Sequence, residues 1–212
     1  MRKIHFDLHV HSYYSSDCKS KPEDLLKQAK KLELRGLAIT DHDSIKFHLK
    51  NHSDDQLFII PGVEISTKNG HIIGLGIKEL VPKNLTVEET VERINELNGL
   101  AIASHPFDFT RKGIGKKIYN LKNIAVETMN GSSPLNRFNI KAQEWAKKEN
   151  LPVTGGSDSH RIKDLGLAYT IFEEEVGSVD DLLELIRKKK TESGGSHLSL
   201  HEKFIRAFQI HF

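Results

Sequence analysis

Short apolar runs near residues 3–8, 36–40, 57–61, 71–77, 100–103, 124–128, 152–154 and 168–172 recur along the chain, and each gives way to a polar or amphipathic stretch. That alternation marks repeated strand–helix units and argues against a helical bundle or a β-sandwich. Pro22 to Leu34 reads as a helix with Leu25, Leu26, Ala29 and Leu32 on one face, Pro22 in its first turn and Gly36 ending it. Thr86 to Leu97, opened by a Thr86/Glu89 capping box, and Pro134 to Lys148 read the same way. So does Ser178 to Lys190, with Asp180 and Asp181 in its first turn. TESGGS at 191–196 is expected to be a flexible joint, and LSLHEKFIRAFQIHF after it a last amphipathic helix lying on the barrel or on a partner. The expected division is therefore one domain over 1–190 followed by joint and helix over 191–212.

A chain of 212 residues is long enough for one substantial core. No stretch approaches the roughly 18 apolar residues of a membrane span, so no membrane partner is expected. MRKIHFDLHVHS turns polar too early for a secretory signal, and the lone Cys18 cannot form an internal disulfide; both favour the cytoplasm. A net charge of +2, from 31 basic and 29 acidic residues, does not announce a nucleic-acid binder.

The chemistry-bearing residues share an address. Asp7, His9 and His11 follow the first strand in FDLHVHS, with His9 and His11 on one side by period-two alternation. Asp41 and His42 end the second strand, Glu64 lies in PGVEIS, His71 in NGHIIGLG, His105 in IASHPF, and Asp158 and His160 in GGSDSH. In parallel α/β folds that edge is where ligands bind. Singly, each acid has an ordinary role as a helix cap or turn former, and His105 before Pro106 that of a turn residue. Together, six histidines and several acids would leave unpaired polar groups around one cavity unless divalent metals satisfied them. Imidazole with carboxylate suits Zn, Mn or Fe(II).

The segments DLHVHS with SSD, ITDHDS, GVEIS with GHIIG, ASHPF, ETMNG and GSDSH, in this order from residue 7 to 160, resemble the PHP family (polymerase and histidinol phosphatase domains) of metal-dependent phosphoesterases. The resemblance implies a distorted (β/α)7 barrel, TIM-like, with a trinuclear site at the C-terminal ends of the strands. It implies His9, His11, Glu64 and Asp158 around a first ion, Glu64 bridging to a second completed by His71 and His105, and Asp17, His42 and His160 around a third. Two or three divalent ions (Mn, Zn or Fe) follow as cofactors. The chain departs from the family in having Cys18 where Gly is frequent and HPFDF without the Arg that often follows HPF. The interval between His71 and His105 is also too short for an inserted lid.

Three ions against the anionic ligands Glu64, Asp17 and Asp158 leave the cluster positive, which draws in phosphate. The expected reaction is hydrolysis of a phosphomonoester of a small metabolite or nucleotide by a metal-bridging hydroxide, with Glu64, Asp158 and His160 catalytic. Asp41 and Asp43 are candidates to accept a ring N–H from a ligating His, helix capping being the competing role of Asp43. Asp7, Glu127 and Asn130 are further supporting candidates at strand ends. Arg111, Lys112, Lys116 and Lys117 in FTRKGIGKK, with Arg161, are candidates for substrate phosphate or for a solvated surface. The alternatives are a 5′ to 3′ exonuclease on short RNA or DNA, a non-catalytic RNA-binding or regulatory subunit, and hydrolysis of a C–N bond. The histidines at 5, 48, 52, 197, 201 and 211 match no part of the pattern and are read as structural or solvated.

Overall fold

The IHFDLHV segment, with every residue from Phe6 onward buried, forms β1 over Ile4–Val10 at the heart of the sheet. The structure, a computed structural model, describes residues 3–50 and 52–198. β2 follows over Gly36–Ile39, β3 over Phe58–Thr67, β4 over Gly70–Leu75 and β5 over Leu100–Ala103. β6 spans Ile124–Asn130, β7 Val153–Gly156, β8 Ala168–Phe172 and β9 Thr191–Gly195. The helices are α1 (Pro22–Lys31), α2 (Lys46–Leu49), α3 (Val87–Glu96), α4 (Asn136–Lys148) and α5 (Val179–Arg187). α1 buries Leu25, Leu26 and Ala29 as its spacing predicts, but Leu32 falls at the C-cap and is exposed. Both bonds of the Thr86/Glu89 capping box are made at the start of α3, and Ser178 caps α5 through the Asp181 N–H.

The strands lie in the order β7-β6-β5-β4-β3-β2-β1-β8-β9. β1, β2, β3, β5, β6 and β7 run parallel, and β4 runs against its neighbours β3 and β5. The reversal has a local cause: Lys68 and Asn69 are the only residues between Thr67 and Gly70, and a two-residue turn can only make a hairpin. The sheet curls shut where β1 leaves β8. Beyond Phe6 the β1 edge pairs instead with the segment after β7, Asp158 N–H donating to the His9 carbonyl at 2.7 Å and His11 N–H to that of Ser159 at 3.1 Å. The result is a TIM-like barrel distorted by two reversed strands, β4 and β8.

Phe6, Leu8, Ala38, Ile60, Ile73, Ile102 and Ala125, from six strands, meet in one buried cluster sealed by Leu182, Leu183 and Ile186 of α5. Such convergence from around the sheet is what a filled barrel interior requires. α3 and α4 cover Val63, Ile65, Ala101, Ala103 and Val126, while α1 covers Val10, Leu37 and Ile39.

Two expectations are corrected here. His71 does not end its strand: it is the second residue of β4 and reaches the common rim only because β4 runs backwards, opposite Ser66. The joint expected over 191–196 is, for 191–195, the strand β9, paired antiparallel with β8 from Phe172↔Thr191 to Ala168↔Gly195. Small polar residues suit it because their hydroxyls bond, Thr191 to the Val153 carbonyl at 2.7 Å and Ser193 to the Thr128 hydroxyl at 2.7 Å. The proposed C-terminal helix lies outside the described residues except for Leu198, whose N–H donates to the Gly131 carbonyl.

Gly156 of β7 lies against β1, and a methyl group there would collide with the His9 backbone and Cβ. Gly156→Ala is expected to lower the unfolding free energy by about 1–3 kcal/mol, read from urea denaturation.

Candidate metal centre

Two irregularities in the sheet aim side chains at one point. The register of β1 against β2 shifts between Asp7 and Val10, and that of β6 against β7 between Glu127 and Met129. Bulges of this kind re-aim side chains, and these two lie beside His9 and Glu127. His9 Nδ1 then meets Glu127 Oε1 at 2.9 Å. Its Nε2 faces Glu64 Oε2 and His11 Nε2, each at 3.2 Å, and Asp158 Oδ1 at 3.6 Å. His11 Nε2 in turn lies 3.3 Å from both Glu64 Oε2 and Asp158 Oδ1.

Glu64, in the middle of β3 and almost wholly buried, divides its oxygens. Oε2 faces His9, His11 and His42, and Oε1 faces His105 Nε2 at 3.0 Å and His71 Nδ1 at 3.2 Å, with the Ser104 hydroxyl donating to it at 3.1 Å. At the mouth, Asp17 Oδ2 lies 3.1 Å from His160 Nε2 and 3.5 Å from His42 Nε2. A cavity of about 200 Å³ opens there, lined by Asp17, His42, Glu64, His71, His105, Thr110, Arg111, Lys112 and His160.

These contacts fit metal ligation better than they fit hydrogen bonding. His42 Nδ1, His71 Nδ1 and Asp158 Oδ1 are buried and make no hydrogen bond, although each has a polar atom within 3.3 Å. Short but misdirected contacts are what donor atoms show when they point at a shared centre. Ligands held at about 2.0–2.2 Å from a tetrahedral ion stand roughly 3.3–3.6 Å apart, the spacing seen here. Three groups of donor atoms are close enough to share an ion: His9, His11, Glu64 and Asp158; His42, Glu64 and His71; and His11, His42 and His160.

Without cations the charges settle among themselves. Burial opposes ionisation of Glu64, but the surrounding histidines hold its carboxyl well below the usual range. Asp158 is likewise held low, burial being outweighed by Arg111 and His9. Burial disfavours the charged forms of His9 and His11, yet the adjacent carboxylates raise both, His11 to about 9. His42 goes the other way, pushed by burial down to about 4.

The model described as the PHP domain matches residues 7–154. The chain belongs to the PHP family. A second model, PHP-associated, matches residues 136–191. Among curated proteins the chain is 35% identical over 185 residues to an uncharacterized protein of Methanocaldococcus jannaschii, covering 83% of this chain and 74% of that one. A second protein of that organism is 39% identical over 137 residues, 58% of this chain and 80% of its own. The 5′-3′ exoribonuclease Rnm of Escherichia coli is 40% identical over 81 residues, 34% of this chain and 27% of that protein. Among solved structures, PsfC of Pseudomonas syringae superposes with a TM-score of 0.74 at 18% identity, covering 100% of this chain and 98% of that one. A two-domain protein of Bacteroides vulgatus containing a predicted PHP-like metal-dependent phosphoesterase gives 0.73 at 17% identity, with 92% of this chain and 65% of that one covered. The lesion-specific endonuclease of Pyrococcus furiosus gives 0.66 at 19%, covering 91% and 58%. At such identities the likeness is one of fold.

Within this PHP fold the first expected set, His9, His11, Glu64 and Asp158, stands together, but His42 joins Glu64 and His71 where His105 was expected, and His11 joins His42 and His160 where Asp17 was expected. His105 instead contacts Glu64, and Asp17 contacts His160 and His42 at the mouth. Asp41 and Asp43 do not accept a ring N–H. Asp41 takes the Ser12 N–H at 2.6 Å and the Ser12 hydroxyl at 2.7 Å, and Asp43 takes the N–H of Ser66 in β3. The carboxylate that does hold a ring is Glu127, which also accepts the His105 N–H at 2.7 Å and the Asn130 amide at 3.0 Å. Asp7 is a strut: its oxygens accept the N–H groups of Ser157, Gly166 and His9, while burial pushes its carboxyl up to about 6. Lys116 and Lys117 are exposed away from the cavity lining, and Arg161 pairs with Asp164. Cys18 is packed, its thiol donating to the His11 and His160 carbonyls. Sequence reasoning missed Ser104 and the buried Asp108, whose carboxylate accepts from Thr110 and Ser133 and shapes the loop after His105. A polar residue so soon after HPF was the available signal.

Two expectations follow. Glu127→Gln leaves His9 without its carboxylate partner and is expected to weaken Mn²⁺ binding about 10–100-fold, read by titration of chelator-treated protein. His11, raised above the ordinary 6.5, stabilises the cation-free fold fully below that value and loses this as pH rises through about 9. Urea denaturation of chelator-treated protein should therefore lose roughly 3 kcal/mol of this contribution between pH 6.5 and 9, while Mn²⁺ affinity rises.

Proposed function

We propose that the chain is a metal-dependent phosphoesterase releasing phosphate from a phosphomonoester of a small metabolite or nucleotide. The observation that carries this reading is the division of Glu64 between two sets of imidazoles, the arrangement that holds neighbouring divalent ions on one carboxylate. Such ions, when bound, lower the pKa of water toward neutrality and neutralise charge on phosphoryl oxygens.

The protein's own part is positional. Glu127 fixes the ring of His9, and the sheet closure at Asp158 holds the carboxylate of that residue against His11. His160, bonded through Nδ1 to the Asp158 carbonyl, keeps Nε2 at the cavity mouth beside Asp17. Asp158, Glu64 and His160 are thus the residues assigned to the reacting centre, and the nine proposed ligands are His9, His11, Asp17, His42, Glu64, His71, His105, Asp158 and His160. A cavity of about 200 Å³ falls below the range of roughly 300–1,000 Å³ typical of whole-ligand pockets, which suits capture of a phosphoryl end. A second reading, 5′ to 3′ removal of nucleotides from short RNA or DNA, is favoured by the partial identity with the exoribonuclease.

The test is reconstitution of chelator-treated protein with Mn²⁺, Zn²⁺ or Fe²⁺ against a panel of phosphomonoesters and 5′-labelled oligonucleotides. Phosphate release from small esters is expected, and a ladder from RNA would favour the second reading. Metal-loaded protein that cleaves neither overturns both. Glu64→Ala is expected to lower turnover by more than about 100-fold together with metal content, because losing a shared ligand exceeds the loss on removing a ligand's support.

A further inference from the structure

Among the cations of the FTRKGIGKK loop, Arg111 turns inward onto a buried carboxylate. Its Nε donates to Asp158 Oδ2 at 2.6 Å, and Asn130 Nδ2 donates to the same oxygen at 3.2 Å. Asp158 Oδ1 is left without a hydrogen bond, facing His9 and His11. The guanidinium therefore takes Oδ2, which of the imidazoles only His105 approaches, at 3.9 Å, and leaves Oδ1 to His9 and His11. It also lines the cavity, beside Thr110 and Lys112.

The loop is built to hold this side chain still. Asp108 is fully buried; its carboxylate accepts the Thr110 N–H and hydroxyl and the Ser133 hydroxyl, and its carbonyl accepts the N–H groups of Arg111 and Gly113. The Lys112 carbonyl accepts the His71 N–H at 3.0 Å, which ties the loop to β4. Phe109 on the same turn is left exposed, so the turn is shaped by Asp108 and Arg111 and not by burial of its aromatic residue.

We propose that Arg111 has two roles: its Nε holds Asp158 Oδ2 and leaves Oδ1 to the metal cluster, and the rest of its guanidinium, on the cavity lining, binds a phosphoryl oxygen of the substrate. A planar guanidinium, with five donors in a fixed fork, can do both at once, whereas an ammonium is a single point charge. The assignment rests on the phosphoesterase reading above. It makes Arg111 a link between metal loading and phosphate capture, because one guanidinium would touch both a ligand carboxylate and the substrate.

The experiment compares native protein, Arg111→Lys and Arg111→Ala by Mn²⁺ titration after chelation and by calorimetric binding of inorganic phosphate to the Mn²⁺-loaded forms. Arg111→Ala is expected to weaken Mn²⁺ binding about tenfold, as removal of a ligand's support does, and phosphate binding by at least about tenfold. Arg111→Lys is expected to keep Mn²⁺ affinity within about threefold yet still lose most of the phosphate affinity, since one nitrogen cannot serve both ends. A purely structural arginine would move the two readouts together in both variants. Arg111→Ala that binds phosphate as tightly as native protein, or Arg111→Lys that restores both affinities, overturns the assignment. Native protein that takes up no Mn²⁺ overturns the phosphoesterase reading as well, which separates the two failures.

Discussion

A carboxylate buried in a protein interior is tolerated only among compensating partners, and Glu64 has five imidazoles around it, those of His9, His11, His42, His71 and His105. Those rings come from β1, from β4 and from the loops that follow β1, β2 and β5. The barrel is what allows one carboxylate to be reached from so many directions, because a flat sheet would present the same side chains in a row. The reversed β4 belongs to this logic: by running backwards it brings His71 to the rim at the start of a strand.

Around this centre the acids fall into distinct jobs according to what reaches them. Glu127 and Asp158 touch imidazoles, while Asp7, Asp41 and Asp43 are occupied by backbone N–H groups and serve as struts. His105 and Asp158 both sit at positive φ, 33° and 52° respectively. Non-glycine residues in that region are uncommon and persist where surrounding structure over-determines them. Here the His105 N–H is held by Glu127 and the Asp158 N–H by the His9 carbonyl.

Much of this was legible in the sequence because period-two strands and strand-end histidines carry their own signals. Eight strands of the described sheet, β1 to β8, were visible as apolar runs, and the ligand motifs lay in a recognisable order. What escaped was decided by contacts between distant residues. Nothing local distinguishes Asp41 from Glu127 as the acceptor of a ring nitrogen; the choice depends on where Ser12 lies after folding. TESGGS has the composition of a linker, and only pairing with Ala168–Phe172 makes it a strand. Arg111 looked like its lysine neighbours, and the turn built by Asp108 is what separates it from them.

The sheet closure joins His9 to Asp158 across about 150 of the 212 residues. During synthesis from the N-terminus, His9 and His11 emerge early and wait with one edge of β1 unpaired. The barrel cannot shut until the segment through Ser159 has been made, and contacts of such long range form slowly. Partial ligand sets can gather a cation on the way, but the enclosed, well-ordered centre is a late product of folding. Assembly of the reactive site is thereby timed to follow completion of β1 to β7, with β8, α5 and β9 still to come.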